Sequence, residues 1–351
     1  MQYRSFPSSL RFVSAACAAA MVSLAVPAAA QSTPAQAPAV DVKAEVGDLL
    51  TGAFFRVPEG TGPFPAIIIL GGSEGGNSAA RQKAPWFLAQ GYAVLGLPYY
   101  SPSYISPDSS VPGLPEAFHD IPIDRLETAL AWLRAQADVR ADRIGLYGVS
   151  KGAEFALAGA SRIDGFAAVV AIVPSDVIWE GWGPGTVTGK SSGFSWRGAP
   201  LPFVPFVEMN AEIAKLTTPG ATARIRTPQD AGRKAFPETV PAATIAVEAI
   251  DEPVLVAGSD KDNTWASGEM AQAIAQRRAA AGLTTVSLIF GEAGHGLAGT
   301  GERSPETASW YSEADLAAQS IIWPTTLAFL AQNLKDSAKP AQYPGIARRA
   351  P

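Results

Sequence analysis

The sequence predicts an α/β fold in which a mostly parallel central sheet carries helices on both faces. Three features point to it. Short, continuous apolar runs such as Ala66-Ile67-Ile68-Ile69-Leu70 read as strands buried on both sides. Stretches with helical spacing of apolar residues lie between these runs, and Gly- and Pro-rich turns separate the two kinds of segment. With 47% hydrophobic and 17% charged residues among 351, the chain has ample apolar material for one large core.

Residues 1–30 read as a secretory signal peptide. Arg4 and Arg11 form a positive start, residues 12–26 are apolar, and Ala28-Ala29-Ala30 supplies the small-residue cleavage pattern before Gln31. The apolar stretch is too short for a membrane span, and Ser14 stands where a lipoprotein signal ending at Cys17 would have a larger aliphatic residue. The mature protein is therefore expected to be exported, periplasmic or secreted, with cleavage near Ala30. Residues 31–41 read as a flexible leader of Ala, Pro, Gln and Ser.

A single folded domain is expected over residues 42–335. Short strands are expected at 43–46 and 52–57, then the buried run 66–70, which ends in a Gly-rich loop at 71–76. A helix over 79–90 leads to a second buried strand at 92–97. Leu126, Leu130 and Leu133 form one stripe of a helix over about 124–137. A third buried strand at 143–147 runs into a small-residue helix ending near Ser161, and a fourth strand covers 166–173. The alternation breaks at Pro174. Residues 174–250 form an insert rich in Pro and Gly that carries Trp179, Trp182, Phe194, Trp196, Phe203 and Phe206. The composition suits an apolar wall over a site for an acyl chain, or the insert's own small core. The pattern resumes with a strand at 253–257, a helix over 266–281, a strand at 284–290 and an amphipathic helix over 313–334. Residues 336–351 read as a disordered tail. No internal repeat or linker marks a second domain.

Composition excludes several functions. The net charge is −5 and no run of Lys or Arg forms a basic stripe, so nucleic acid and anionic membranes are not expected partners. No apolar run beyond the signal is long enough for stable membrane insertion. Removing the signal removes Cys17, the only cysteine, and with it any disulfide, thiolate nucleophile or thiolate metal ligand. Two histidines, His119 and His295, cannot build a His-rich metal site. The chemistry calls for no metal or organic cofactor, and the expected partner is a small-molecule ester or thioester.

Gly148-Val149-Ser150-Lys151-Gly152 fits G-x-S-x-G between a strand and a helix, the context this motif requires. Glycines on either side let neighbouring backbone approach while the serine hydroxyl stays accessible. A serine needs a base to take its proton. His295, in Gly294-His295-Gly296 after the last strand, stands where that base belongs in an α/β-hydrolase fold. His119 lies between strands where no such partner is expected, and reads as structural or pocket-lining. Two carboxylates follow the strand at 253–257. Asp262 matches a Gly-x-x-x-Asp-x-x-apolar turn with Gly258 and Trp265, and is favoured to orient His295; Asp260 reads as a loop-capping alternative. The order Ser150, Asp262, His295 is the chain order of α/β hydrolases. The backbone N–H of Lys151, at the helix start, is expected in the oxyanion hole, with that of Ser73 as second donor. The loop holding Ser73, LGGSEGG at 70–76, fits neither G-x-x-x-x-G-K-[ST] nor G-x-G-x-x-G, which argues against phosphate binding. Glu154 suits helix packing or capping as well as the site.

These residues resemble the C-terminal catalytic domain shared by acyl-CoA thioester hydrolases and bile acid-CoA:amino acid N-acyltransferases. The matching stretches are LGGSEGG (70–76), QGYAVLGLPYY (90–100), IPIDRLETALAWL (121–133), GVSKGAEFAL (148–157), SGFSWRGAPLPFVP (192–205), IAVEAIDEPVLVAGSDKDNTW (245–265) and GHG (294–296). Together they span nearly the whole expected domain, with dienelactone-hydrolase-like enzymes as more distant relatives. The resemblance implies Ser150, Asp262 and His295 as the catalytic triad and a thioester or ester as substrate. Two departures stand out. The family's larger members carry an N-terminal immunoglobulin-like domain, for which the residues before the first buried strand are too few. Acyl-CoA is a cytosolic metabolite, whereas this chain reads as exported. The amidating transferases of the family use cysteine, so Ser150 favours hydrolysis over amide transfer.

Overall fold

The computed structural model describes residues 50–103, 110–216, 218–303 and 310–335. The signal segment 1–30, the leader 31–41, the strand expected at 43–46 and the tail 336–351 lie outside the described residues.

The strands in chain order are β1 (Phe54–Arg56), β2 (Phe64–Leu70), β3 (Ala93–Gly96), β4 (Ile121–Pro122), β5 (Val139–Val149), β6 (Ala168–Ile172), β7 (Phe194–Trp196), β8 (Ala199–Pro200), β9 (Val254–Ser259) and β10 (Thr285–Phe290). The helices are α1 (Ser78–Leu88), α2 (Arg125–Arg134), α3 (Lys151–Ala160), α4 (Met209–Leu216), α5 (Arg226–Ala235), α6 (Val240–Ala243), α7 (Ser267–Ala280) and α8 (Glu313–Leu330). Seven strands form the central sheet in the order β1-β3-β2-β5-β6-β9-β10. Only β1 runs antiparallel to its neighbour. This is the mostly parallel α/β-hydrolase architecture that the alternating pattern predicts.

Successive side chains of a strand point to opposite faces, so a strand in a two-sided sheet feeds two cores. In β2, Ala66, Ile68 and Leu70 pack on one face with Leu126, Leu130 and Leu133 of α2, Phe155 and Leu157 of α3, and Ile274 of α7. Ile67 and Ile69 pack on the other with Ala84 and Phe87 of α1 and Ile322, Phe329 and Leu330 of α8. That is why the run is apolar throughout rather than alternating. At about 25 cal/mol per Å² of apolar surface, each such buried side chain stabilises the sheet by roughly 1.5–3 kcal/mol.

The structure corrects several expected boundaries. β5 begins at Val139, ahead of the apolar core of the run, because Val139 pairs with Phe64 across a register irregularity in β2. Residues 140–143 bridge that irregularity and stay partly exposed, so their polar side chains hid the strand. α2 stops at Arg134, where Ala135 caps it. α8 gives way to a π-helical turn at Ala331–Lys335. Its start is set by a capping box between Ser312 and Asp315. The insert is not simply loop. It contains β7 and β8, which extend β4 into a second, three-stranded sheet, and also α4, α5 and α6. β7 and β8, three and two residues long, are too short to carry a detectable period.

Candidate active site

Ser150 sits at the turn between β5 and α3 with φ 56° and ψ −119°, a left-handed conformation rare for a residue with a side chain. The two glycines of the motif make the turn possible. A Cβ on Gly148 would lie 2.2 Å from the Gly152 carbonyl oxygen, and one on Gly152 would lie 2.2 Å from that of Gly71. The turn therefore packs backbone to backbone against the end of β2, and the Gly-rich loop lies beside Ser150.

His295 Nε2 stands 3.0 Å from Ser150 Oγ, and His295 Nδ1 stands 2.8 Å from Asp262 Oδ2. A carboxylate only accepts, so the Nδ1 proton points to Asp262 and Nε2 is left to accept the serine proton. Asp262 is buried. Its Oδ1 accepts the backbone N–H groups of Thr264 (2.8 Å) and Trp265 (3.2 Å), and its Oδ2 also accepts the Ser267 hydroxyl at 2.6 Å. Burial alone would raise the Asp262 carboxyl. The hydrogen bond and charge of His295, with the Ser267 and Thr264 donors, outweigh it and hold the group below its ordinary value. Asp260 is exposed; its backbone N–H bonds Phe290, and its side chain lies against the start of α7. His119 is placed beside Asp120 at 3.2 Å and lines none of the cavities described below.

Lys151 is the first residue of α3, so its N–H has no intrahelical acceptor. Ser73 and Lys151 border one cavity of about 160 Å³ together with Ser150. Its remaining walls are mostly apolar: Trp179, Trp182, Phe206, Met209, Ile213 and Ile225 from the insert, and Trp265 from the turn after β9. The aromatics of the insert divide between the two roles open to them. Trp179 and Phe206 stack at 5.6 Å in the insert's own core while also facing the cavity. Phe194 instead stacks on Phe155 of α3, beneath the site.

Several supporting residues carry no recognisable sequence signal. Ser259, the last residue of β9, donates to the Ala293 carbonyl at 2.5 Å, tying the aspartate strand to the histidine loop. Asp315 accepts the Gly294 N–H at 2.6 Å and Gln319 donates to the Gly296 carbonyl at 2.6 Å, so α8 holds both sides of His295. Tyr99 donates to the Gly71 carbonyl at 2.6 Å. Only Asp315 had a local cue, the S-x-x-D spacing of a helix start.

Glu154 proves to be a packing residue. Fully buried, it pairs with the Lys151 ammonium at 2.5 Å and accepts the Trp179 N–H at 3.1 Å. The ammonium lies among the rings of Phe118, Phe194, Trp182 and Trp265, at 4.8, 5.2, 5.4 and 5.9 Å from their centroids. Burial pushes Lys151 below its ordinary value and Glu154 above its own, while each charge opposes the shift of the other. The pair links α3 to the insert. Among the described residues, no cluster of three or more His, Cys, Asp or Glu has the arrangement of a metal site, and no helix is long and apolar enough to cross a membrane.

A family model described as "BAAT / Acyl-CoA thioester hydrolase C terminal" matches residues 121–299, and a dienelactone hydrolase family model matches residues 51–180. The chain is 28% identical over 240 residues to acyl-coenzyme A thioesterase 1 of Rattus norvegicus, covering 68% of this chain and 50% of that protein. It is also 28% identical over 240 residues to the mitochondrial acyl-coenzyme A thioesterase 2 of Mus musculus, covering 68% and 46%. The chain thus spans about half the length of the curated relatives it matches. Among solved structures, a puromycin-hydrolyzing peptidase of Mycobacterium tuberculosis superposes with a TM-score of 0.52 at 14% identity, over 86% of this chain and 39% of that one. That likeness is one of fold.

Proposed function

Because the chain belongs to the BAAT / acyl-CoA thioester hydrolase C-terminal family, we propose that it hydrolyses thioesters or carboxylic esters through an acyl-enzyme on Ser150. The reading rests on the continuous line of contacts from Asp262 through His295 to Ser150, 2.8 and 3.0 Å long. His295 takes the hydroxyl proton as Ser150 attacks the acyl carbonyl, and Asp262 stabilises the imidazolium that forms. The N–H groups of Lys151 and Ser73 receive the oxyanion. His295 then protonates the departing thiol or alcohol, and water activated by the same imidazole releases the acid. The acyl chain occupies the apolar cavity walled by Trp182, Phe206 and Met209. Thioesters come first among the candidate substrates, a ranking supported by the likeness to relatives named acyl-coenzyme A thioesterases.

The direct test is labelling of the purified protein with a fluorophosphonate, followed by mass spectrometry of the adduct. Modification of Ser150, absent in Ser150→Ala, supports the reading; failure of folded protein to label overturns it. A chain-length series of thioesters and nitrophenyl esters, with peptide substrates alongside, then orders the acyl groups. Export with cleavage near Ala30 belongs to the same proposal, and N-terminal sequencing of protein recovered outside the cytoplasm tests it.

A further inference from the structure

A second cavity, of about 500 Å³, is lined by His295 and Gly296, neither of which lines the apolar one. Gly71, Glu74, Gln82, Lys83, His295 and Tyr311 are among its walls, so it is far more polar than the first. Lys83 is the unusual member. It is only 6% exposed, yet makes no hydrogen bond and no ion pair with another described residue; its ammonium lies 5.2 Å from the centre of the Trp86 ring. Burial pulls Lys83 below its ordinary value, and the nearby charge of Glu74 opposes that shift. Glu74 itself is engaged by the Gly72 N–H at 2.8 Å. The side chain is buried but its Nζ is not sealed off, so the cation faces the cavity with no hydrogen-bonded or ion-paired anion. Such a cation lining a cavity beside a proton-transfer group marks a ligand site.

The position of the cavity says which part of the substrate enters it. In acyl transfer the base that removes the serine proton returns it to the departing atom, so the leaving group must lie along the histidine. Ser150 and Lys151 line the apolar cavity, whereas His295 and Gly296 line the polar one. Resting on the proposed acyl-enzyme reading, we propose that the polar cavity receives the leaving group and that Lys83 binds an oxyanion, carboxylate or phosphate, carried by that group. The enzyme would then select its substrates from both ends, an apolar acyl chain in one cavity and an anionic thiol or alcohol in the other.

Thioesters sharing one acyl group but differing in the thiol test this: N-acetylcysteamine as the neutral case, 3-mercaptopropionate as the carboxylate, and pantetheine 4′-phosphate as the phosphate. The expected ratio of kcat/KM, anionic over neutral, is about tenfold or more in the wild type, the scale of a hydrogen bond to an ionised group. Lys83→Met should bring the ratio close to one and Lys83→Arg should restore it. The larger of the carboxylate and phosphate ratios identifies the anion. Calorimetric binding of the three free thiols to full-length Ser150→Ala gives the same comparison without turnover. An anion preference there, with no hydrolysis by the wild type, would sink the catalytic reading and leave the anion site standing. Equal binding of all three thiols, or a preference unchanged in Lys83→Met, overturns the site.

Discussion

The carboxylate of Asp315 accepts the backbone N–H of Gly294, one residue before His295, across 21 positions of sequence. The same side chain closes the capping box at the start of α8 through the Ser312 N–H at 2.9 Å. One carboxylate therefore fixes both the helix and the loop that carries His295. Asp315→Ala should cost about 1–2 kcal/mol of stability, the usual worth of a helix cap. It should also lower kcat by roughly 10–100-fold, because small misplacements of a reacting group are expensive. Steady-state kinetics beside urea denaturation separate the two effects; a loss of stability with unchanged kcat would remove Asp315 from the positioning role.

Substitution within the proposed triad gives a graded but large loss. Ser150→Ala and His295→Ala should each reduce kcat by about 10⁴-fold or more, and the double variant should be hardly worse than either, since the residues act as a unit. Asp262→Asn should lose about 10³–10⁴-fold by favouring the wrong histidine tautomer. Asp260→Asn should stay near wild type. A large loss there instead would transfer the orienting role to Asp260.

Acid sensitivity follows from the Asp262 carboxyl, whose value in the folded protein is held below the ordinary one of 3.8. The stabilisation this brings is complete above the unfolded value and disappears as pH falls through the folded one. The stability gap between wild type and Asp262→Asn should therefore narrow as pH falls from about 4 downward. Urea midpoints measured across that range check it; a gap that widens on acidification would reverse the sign.

The Lys151–Glu154 pair should show the asymmetry of buried ion pairs. Lys151→Met leaves a buried carboxyl facing aromatic rings, and should destabilise the fold by about 3–5 kcal/mol. Adding Glu154→Leu should recover much of that loss, since an apolar pair of similar volume is often neutral. Thermal melts of the two single variants and the double variant decide it. Additive losses in the double variant would show that the pair's hydrogen bond to Trp179, and not its charge balance, holds the insert in place.

The parallel sheet, its flanking helices and the order of serine, aspartate and histidine were legible because each is written locally: apolar runs of strand length, helical stripes, and glycines where backbone must meet backbone. That Asp262 rather than Asp260 would stand beside His295 was also written locally, in the Gly-x-x-x-Asp-x-x-apolar turn that ends at Trp265. What could not be read is what chain-distant segments do to one another. Ser259 and Asp315 look like any strand-end serine and helix-cap aspartate. Lys83 falls on α1 where a surface lysine would be unremarkable, and only the folded chain shows it lining a cavity with Glu74 of the 71–76 loop and Tyr311. The short strands of the insert escaped notice because two or three residues carry no period.

β6 and β9 are bonded neighbours in the middle of the sheet, although residues 173–253 of the chain lie between them. The loop that closes when they pair is the insert itself, so β9 and β10, two of the seven strands, cannot dock until that segment has been synthesised and brought home. Long-range parallel pairing of this kind is slow, because the entropy of closure must be met before any contact rewards it. The apolar cavity wall and the scaffold beneath it should thus appear in one late kinetic step, and a ribosome-bound chain stopped before residue 254 would hold Ser150 but neither Asp262 nor His295.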